Sequence, residues 1–266
     1  MAVSPEFLRE KRDTSGVWPM FGVDIRAAFP FEAIDLLDRR TSDGFRSAVA
    51  FANANLLNLA FADDALRLAL QNFIVFNDGI GVEIGARILH GVRFPANLNG
   101  TDFVPAFLET TSHSHRIFMV GARSKSVSRA AANVAARYRK HAIVGWSDGY
   151  GGIEDSAALV ERMRRLEVSL VLVALGNPKQ EMWLAEWLEK SGATLGFAVG
   201  SLFDFWSGLA PRAPSLVRQA RCEWIYRLAQ EPRRLAHRYL VGNPVFLARI
   251  ASRKTDGWRG GDERGL

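Results

Sequence analysis

Apolar and polar residues follow two patterns along the chain, one with the length of β-strands and one with the spacing of α-helices. Nearly continuous apolar runs such as FIVF, IFMV and LVLVAL are typical of strands that are buried on both faces of a sheet. Between these runs, apolar residues recur at helical spacing. The predicted strands are Phe21–Ile25, Ser47–Ala52, Asn72–Asn77, Arg116–Val120, Ala142–Trp146, Ser169–Leu175 and Ala193–Val199, and the predicted helices are Ala33–Asp38, Leu56–Leu70, Val82–Leu89, Val127–Arg139, Ala157–Leu166 and Lys179–Glu189.

This alternation predicts an α/β fold, a Rossmann-like and mostly parallel sheet with helices on both faces. The strand pattern stops after about Ser201, and Pro214–Ala229 and Arg233–Tyr239 then read as helices that are separated by a Glu-Pro step. We therefore predict an α/β core at 18–207 and a helical, basic, membrane-associating appendage at 208–250. Charged and glycine-rich ends predict flexible tails at 1–17 and 251–266.

Composition excludes several classes of protein. The chain has 266 residues, of which 48% are hydrophobic, so it can bury a sizeable core and is not a disordered chain. A single cysteine, Cys222, cannot form an internal disulfide, and no Cys and His residues have zinc-ligand spacing. The absence of a signal-peptide core and of an apolar run of about 18 residues predicts a soluble, cytosolic protein.

The positive charge is concentrated at one end of the chain. Residues 212–266 hold 12 of the 34 Lys and Arg and 5 of the 28 Asp and Glu, a net charge of +7, which leaves −1 for residues 1–211. A neutral body with a basic tail indicates a partner that is anionic, either nucleic acid, anionic lipid or phosphate.

Candidate chemistry lies where the predicted strands end, because parallel sheets bind ligands at the carboxyl ends of their strands. Asp78 follows one strand in the sequence Asn77-Asp78-Gly79-Ile80-Gly81 and is either a general base or the N-cap of the next helix. A dinucleotide-binding fingerprint is disfavoured, because Ile84 stands where that motif needs a small residue.

Two further strand ends carry polar residues. The segment from Gly121 to Ser126 suits a phosphate at a helix N-terminus, although Ser124 is equally well explained as an N-cap. In Gly176–Glu181, Asn177 is expected to cap a helix that has Pro178 at its first position and Gln180 in a capping box. A loop this polar at the end of a central strand also suits a sugar or a nucleotide.

Three arginines stand out in the basic segment. Arg227, Arg234 and Arg238 are seven and four residues apart, which places them on one stripe if the helix continues past the Glu-Pro step. Arginines beside aromatic residues suit a pyrophosphate in a membrane headgroup layer. The alternative is a solvated basic helix with an apolar face on the core.

Six segments make the chain recognisable as a whole. It resembles the WecG/TagA/CpsF family, glycosyltransferase family 26, over roughly residues 20–247. The matching segments occur in the expected order and are FANANLLNLA (51–60), NDGIGVEIGARILHG (77–91), NGTDF (99–103), VALGNPKQEMW (173–183), GSLFDFWSG (200–208) and RAPSLVRQARCEWIYRLAQEPRRLAHRYLVGNP (212–244).

The resemblance implies a reaction and two substrates. It implies an inverting, metal-independent glycosyltransferase that needs no cofactor. The donor is a UDP-sugar, and the acceptor is a sugar on a polyprenyl diphosphate in cell-envelope or exopolysaccharide synthesis. Family members transfer N-acetylmannosamine, N-acetylmannosaminuronic acid or glucose with a β-linkage. The enzyme would be a peripheral protein on the anionic, cytoplasmic face of the plasma membrane.

The resemblance also implies roles for individual residues. Asp78 matches the catalytic base, and Asn53 matches a pocket asparagine, although Phe51 stands where the family usually has a threonine. The last cation is either His237 or Arg238. The other residues expected to bind substrate are Asn77, Thr101, Asp102, Gly121, Ser124, Gln180, Glu181, Arg212, Arg227 and Arg234.

Two other functions are weaker alternatives. A nucleic-acid-binding protein would have the right charge, but it leaves the polar strand ends of the neutral body unexplained. A nicotinamide-dependent oxidoreductase lacks its glycine motif. We therefore expect no nucleic-acid partner, and the identity of the sugar and self-association of the chain stay open.

Overall fold

The computed structural model describes residues 16–214, 217 and 223–255, except for the side chains of Arg234 and Thr255. No helix among these residues is long and apolar enough to cross a bilayer. The strands are β1 Gly16–Met20, β2 Val23–Ala27, β3 Ser47–Ala52, β4 Phe73–Asn77, β5 Arg116–Gly121, β6 Ala142–Ser147, β7 Leu170–Ala174 and β8 Leu195–Ala198. The helices are α1 Pro30–Ser42, α2 Ala54–Ala62, α3 Asp64–Leu70, α4 Ile80–His90, α5 Gly100–Thr110, α6 Ser124–Arg137, α7 Ser156–Arg165, α8 Lys179–Ser191, α9 Leu202–Trp206, α10 Glu223–Gln230, α11 Pro232–Ala236 and α12 Gly242–Thr255.

The eight strands form one sheet in the order β1-β2-β4-β3-β8-β7-β5-β6. All neighbours from β2 to β6 are parallel, and only the β1–β2 pair is antiparallel. The predicted parallel α/β architecture is therefore confirmed. Parallel strands place their carboxyl ends at one edge of the sheet, so β3, β4, β5, β7 and β8 end side by side there.

Helices cover both faces of the sheet, as the pattern predicted. Alternate residues of each strand enter two separate apolar clusters, because successive side chains point to opposite faces. In β3, Ala48 and Ala50 enter one cluster with α2, α4, α8 and α12, whereas Val49 and Phe51 enter the other with α1, α5, α6 and α9. The continuous apolar runs therefore correspond to strands that are buried on both faces of the sheet, as in β3.

The sequence pattern missed or misplaced several elements. Of the predicted strand Phe21–Ile25, Phe21 and Gly22 have positive φ and form the turn between β1 and β2, whereas Val23–Ile25 lie in β2. The predicted helix Leu56–Leu70 is two helices, since the Asp63 side chain accepts hydrogen bonds from the first turn of α3. Helix α5 was not predicted, and it contains Pro105 in its interior.

The C-terminal segment is helical where it is described, and its last helix joins the core. Helix α12 packs on α2 and α4, and its residues Phe246 and Ile250 are fully buried. Asn58 on α2 donates to Gly242 O at 2.7 Å, and Arg249 donates to Asn58 Oδ1 at 2.9 Å. Gly16 and Val17 belong to β1 and residues 251–255 belong to α12, whereas the rest of the two segments predicted as flexible tails lies outside the described residues.

Buried histidines at the amino edge of the sheet make stability depend on pH. Burial, reinforced by His141 and His113, lowers the pKa of His115 to about 4 from its usual 6.5. The unfolded chain therefore binds an extra proton between these values, so we expect the contribution of His115 to stability to fall by about 3 kcal/mol as the pH drops from about 6.5 to 4. Asp78, whose pKa burial raises to about 6, contributes in the opposite direction below pH 6. Urea denaturation of the wild type and of a variant without the His115 imidazole separates the two contributions.

The matched variant for this prediction is His115→Phe. The His115 ring lies between Phe107 and His141, with ring centroids 5.7 and 5.6 Å away, so a phenyl ring keeps the packing without the titration. Relative to the wild type, this variant should gain about 3 kcal/mol of stability as the pH drops from about 6.5 to 4. An unchanged slope would show that His115 is not the group responsible.

Candidate active site

The candidate base and its asparagine neighbour meet at the carboxyl edge of the sheet. Asp78 follows β4 and Asn53 follows β3, and these strands are parallel neighbours with Ala52 in register with Asn77. Asp78 N donates to Ala52 O at 2.7 Å, and Asn53 Nδ2 lies 3.5 Å from Asp78 Oδ2 as its donor. Asn53 Oδ1 also accepts from Leu56 N at 3.1 Å, which caps α2 and fixes the direction of the amide.

Asp78 is not a helix cap, so that interpretation of the sequence was wrong. The N-cap of α4 is Gly79, whose φ of 89° favours glycine, and no side chain caps this end. Gly79 N donates instead to Asn97 Oδ1 at 2.8 Å. The Asp78 carboxylate is therefore not engaged in capping and is available for chemistry.

The environment makes Asp78 a stronger base than an ordinary aspartate. Burial raises the pKa of Asp78 to about 6, and the charge of Arg238, the Asn53 hydrogen bond and the charge of Arg227 oppose this rise. The charge of Glu223 adds to it slightly. At neutral pH the carboxylate is mostly ionised, yet it binds a proton more readily than a solvated aspartate does.

Thr101 and Asp102 hold part of the C-terminal segment. Both lie in the first turn of α5, where Asn99 is the N-cap and accepts hydrogen bonds from Thr101 Oγ1 and Asp102 N. The side chain of Arg212 is only 9% exposed and donates to Thr101 Oγ1 at 3.0 Å and to Asp102 Oδ1 at 2.7 Å. Glu223 Oε1 lies 3.8 Å from its Nε. These contacts fasten residues 212 and 223 to α5.

A second polar cluster occupies the ends of β7 and β8. Gln180 Oε1 accepts from Gly176 N at 3.2 Å and from Gly200 N at 3.0 Å, so it joins the loops that follow the two strands. Gln180 Nε2 donates to Glu181 Oε1 at 2.9 Å. Asn177 is not the expected cap, because the N-cap of α8 is Pro178 and Asn177 Nδ2 donates to Glu181 Oε1 at 2.6 Å.

Two of the predicted arginines reach the site. Arg227 donates to Ser201 Oγ at 2.5 Å and lies over the Phe205 ring at 5.4 Å. Arg238 is half-buried. Burial raises the pKa of both Asp78 and Glu181, and the positive charge of Arg238 partly opposes each rise. His237 is exposed, so the structure favours Arg238 of the two.

The predicted arginine stripe is interrupted. Helix α10 ends at Gln230, α11 covers Pro232–Ala236, and a π-helical turn follows at His237–Val241. The Glu-Pro step therefore breaks the helix, as its chemistry requires. Arg234 lies in α11, and its side chain is outside the described part of the structure.

Of three further predicted residues, Gly121 and Asn77 have local structural roles and Ser124 has none. A Cβ at Gly121 would lie 2.4 Å from Ala174 O, so the glycine is needed for the close approach of β5 and β7. Ser124 is exposed and is not the N-cap of α6, which is Arg123. Asn77 donates to Ala96 O at 2.8 Å, and its buried Oδ1 has no hydrogen-bond partner among the described residues.

Sequence reasoning missed the residues that hold these groups in place. Asn97 accepts a hydrogen bond from Gly79 N, and Asn99 caps α5. Ser201 accepts a hydrogen bond from Arg227, and Glu223 lies beside Arg212. The asparagine-rich run Ala96–Gly100 was a local signal for the first two. The described residues contain no cluster of three or more His, Cys, Asp or Glu side chains that could hold a metal ion.

The sequence model described as Glycosyl transferase WecG/TagA/CpsF family matches residues 18–260. The chain belongs to this family. The resemblance drawn from its motifs is therefore confirmed, and the matched range includes every candidate site residue. Membership argues for a glycosyltransferase over the nucleic-acid-binding and nicotinamide-dependent alternatives.

Two curated relatives carry the same activity name. A protein of Bacillus subtilis (strain 168) is 31% identical over 166 residues, which are 62% of this chain and 63% of that protein. A protein of Staphylococcus aureus (strain MW2) is 27% identical over 210 residues, 77% of this chain and 80% of that protein. Both are named N-acetylglucosaminyldiphosphoundecaprenol N-acetyl-beta-D-mannosaminyltransferase. The chain thus spans less than two thirds of the Bacillus relative.

Proposed function

We propose that this protein is an inverting glycosyltransferase that moves a sugar from a UDP-sugar onto a saccharide carried by a polyprenyl diphosphate. The observation that carries the proposal is Asp78, a poorly solvated carboxylate with a pKa of about 6 at the carboxyl edge of the sheet. Family membership supports the reaction class, and the names of the relatives support the acceptor. The product would serve cell-envelope or exopolysaccharide synthesis.

In the proposed reaction Asp78 takes the proton of the acceptor hydroxyl. The hydroxyl oxygen forms a bond to the anomeric carbon, and the bond from that carbon to the diphosphate of UDP breaks with its electron pair on the leaving group. Attack from the face opposite UDP inverts the configuration and gives a β-linkage from an α-linked donor. Asn53, 3.5 Å from the carboxylate, orients the base.

Cations of the C-terminal segment are proposed to hold diphosphate. Arg227 and Arg238 are half-buried, and their positive charges partly oppose the rise in the pKa of Asp78. This supports placing both arginines near the reacting atoms. Arginine suits this role because its planar fork binds phosphate oxygens in pairs. We assign the same role to Arg234 from its position in α11, and no metal ion is then needed to neutralise the leaving group.

The same segment is proposed to lie on the cytoplasmic face of the plasma membrane. Several of its large apolar side chains are exposed, with Leu240 at 61% and Ile225 at 48%. Val241 and Val245 are also exposed, and arginines lie between them in the sequence. Apolar side chains with basic neighbours are typical of a peripheral contact with anionic lipid headgroups.

A substrate panel tests the proposal. Purified protein is incubated with UDP-N-acetylmannosamine, UDP-glucose or UDP-N-acetylglucosamine and a short-chain lipid-diphosphate N-acetylglucosamine acceptor. We expect transfer of one sugar without added metal ion, and mass spectrometry and NMR of the anomeric proton report the product and its linkage. No transfer from any donor in the presence of vesicles would contradict the proposal.

The variant Arg227→Ala tests the diphosphate contact. We expect kcat/KM to fall about tenfold or more, because a charge-assisted contact with phosphate is lost. The matched control is Arg233→Ala, since Arg233 is an exposed arginine of the same segment. Steady-state kinetics on both variants measure the difference, and equal constants would make Arg227 an ordinary surface charge.

A further inference from the structure

Glu181 is a buried carboxylic acid, and only one of its two side-chain oxygens accepts hydrogen bonds from other described side chains. It is 0% exposed, and its Oε1 accepts hydrogen bonds from Asn177 Nδ2 at 2.6 Å and from Gln180 Nε2 at 2.9 Å. Its Oε2 is buried without a hydrogen-bond partner among the described residues. A buried, half-satisfied acid destabilises a fold, so its presence calls for a functional reason.

The two amides that bind Glu181 differ in what they can do. Gln180 is buried, and its Oε1 is occupied by the backbone amides of Gly176 and Gly200. Gln180 therefore links the loops that follow β7 and β8 and has a structural role. Asn177 is only half-buried, and the one side-chain hydrogen bond that the structure gives it is the bond to Glu181. Its Oδ1 and its second N–H are left for a ligand.

Glu181 decides which way the Asn177 amide faces. A carboxyl oxygen that already accepts from Gln180 attracts Nδ2 and repels Oδ1, so the flipped amide is disfavoured. This cluster lies at the same edge of the sheet as Asp78, because Gln180 joins the loops after β7 and β8, and β8 is the parallel neighbour of β3, which Asn53 follows. Amide side chains with a fixed donor and acceptor suit the hydroxyl and acetamido groups of a sugar.

We propose that Asn177 contacts the sugar of the UDP-sugar donor and that Glu181 is the positioning residue that orients its carboxamide. The inference rests on the proposed transferase function and names a specificity-determining residue for it. It needs only the acceptor oxygen Oε1, so the negative charge of Glu181 is dispensable. Burial raises the pKa of Glu181.

Four variants separate this role from the alternatives. Asn177→Ala and Glu181→Ala should each weaken binding of the UDP-sugar about tenfold, and the double variant should lose no more than either single one, because both remove the same contact. Glu181→Gln keeps an acceptor at Oε1 and should stay within about threefold of wild type. Glu186→Ala, on the exposed side of the same helix, is the control and should change nothing.

Binding of UDP by itself is the decisive comparison. Isothermal titration calorimetry with UDP, UDP-N-acetylmannosamine, UDP-glucose and UDP-N-acetylglucosamine should show that Asn177→Ala and Glu181→Ala weaken the sugar nucleotide but not UDP. Equal weakening of both ligands would mean general structural damage. A loss in Glu181→Gln as large as in Glu181→Ala would mean that the charge itself acts. Either result overturns the proposal.

Failure of the inference and failure of the function are distinguishable. If wild-type protein transfers a sugar and Glu181→Ala binds the UDP-sugar equally well, only the assignment of Asn177 and Glu181 is wrong. If wild-type protein neither binds nor transfers any of the three sugars, the proposed function fails and the inference fails with it.

Discussion

Replacing Asp78 by asparagine is expected to reduce sugar transfer about 10³-fold while the fold is kept, because the amide cannot accept the proton of the acceptor hydroxyl. Asparagine has nearly the same shape, and the Asp78 side chain caps no helix, so the backbone has no reason to move. Steady-state transfer kinetics with a lipid-diphosphate acceptor measure the loss, and circular dichroism checks the fold.

The pH profile gives the same prediction a second readout. The pKa of Asp78 is about 6, and the reactive form is the ionised carboxylate. We therefore expect kcat/KM of the wild type to rise with pH up to about 6 and to level off above it. This break should disappear from the residual activity of Asp78→Asn.

The matched control is Asp24→Asn, an exposed aspartate on the neighbouring strand β2. It should leave both the rate and the pH profile unchanged. Turnover close to wild type in Asp78→Asn would remove this residue from the mechanism. A profile whose break persists in the variant would assign the titration to another group.

The variant Phe246→Ala is expected to lower the free energy of unfolding by about 3–5 kcal/mol, the usual cost of deleting a fully buried phenyl ring. The Phe246 ring is 0% exposed and meets the Phe21 ring edge-on, with 5.7 Å between centroids. It also packs on Gly85 of α4, where a Cβ would lie only 3.2 Å from the ring. Urea denaturation measures the change.

The neighbouring residue provides the control for this prediction. Val245 is on the same helix but is exposed, so Val245→Ala should cost less than about 1 kcal/mol. A loss below about 1 kcal/mol for Phe246→Ala would show that α12 is not part of the folded core in solution. The contrast therefore tests how firmly the C-terminal segment is attached.

This attachment bears on the proposed function, because α12 follows the arginines that we propose to hold diphosphate. Helix α12 continues from the π-helical turn that carries Arg238, and Asn58 of α2 donates to Gly242 at its start. Fixing α12 on the core therefore limits where Arg238 lies. We infer that a chain cut near residue 207 would lose core packing as well as the proposed diphosphate-binding arginines.

The sequence predicted most of the sheet because a strand that is buried on both faces has a continuous run of apolar residues. Runs such as LVLVAL in β7 and FIVF in β4 are apolar at every position, which only strands covered on both faces need. The antiparallel β1 was not predicted because it contains Pro19 and lies at the sheet edge, where burial is uneven. Helix α5 was not predicted because Pro105 in its interior lowers the local helix propensity.

The sequence by itself determined the fold class, the strand-end position of Asp78 and the basic character of the C-terminal segment, since apolar spacing, loop residues and charge are local properties. Only the tertiary structure decided which of these groups meet. Arg212 binds Thr101 across 111 residues, and Asn53 donates to Asp78 across 25. Desolvation and charge pairing depend on residues that are distant in the chain, so the sequence could not predict that Asp78 leaves the cap of α4 to Gly79 and lies buried beside Asn53 instead.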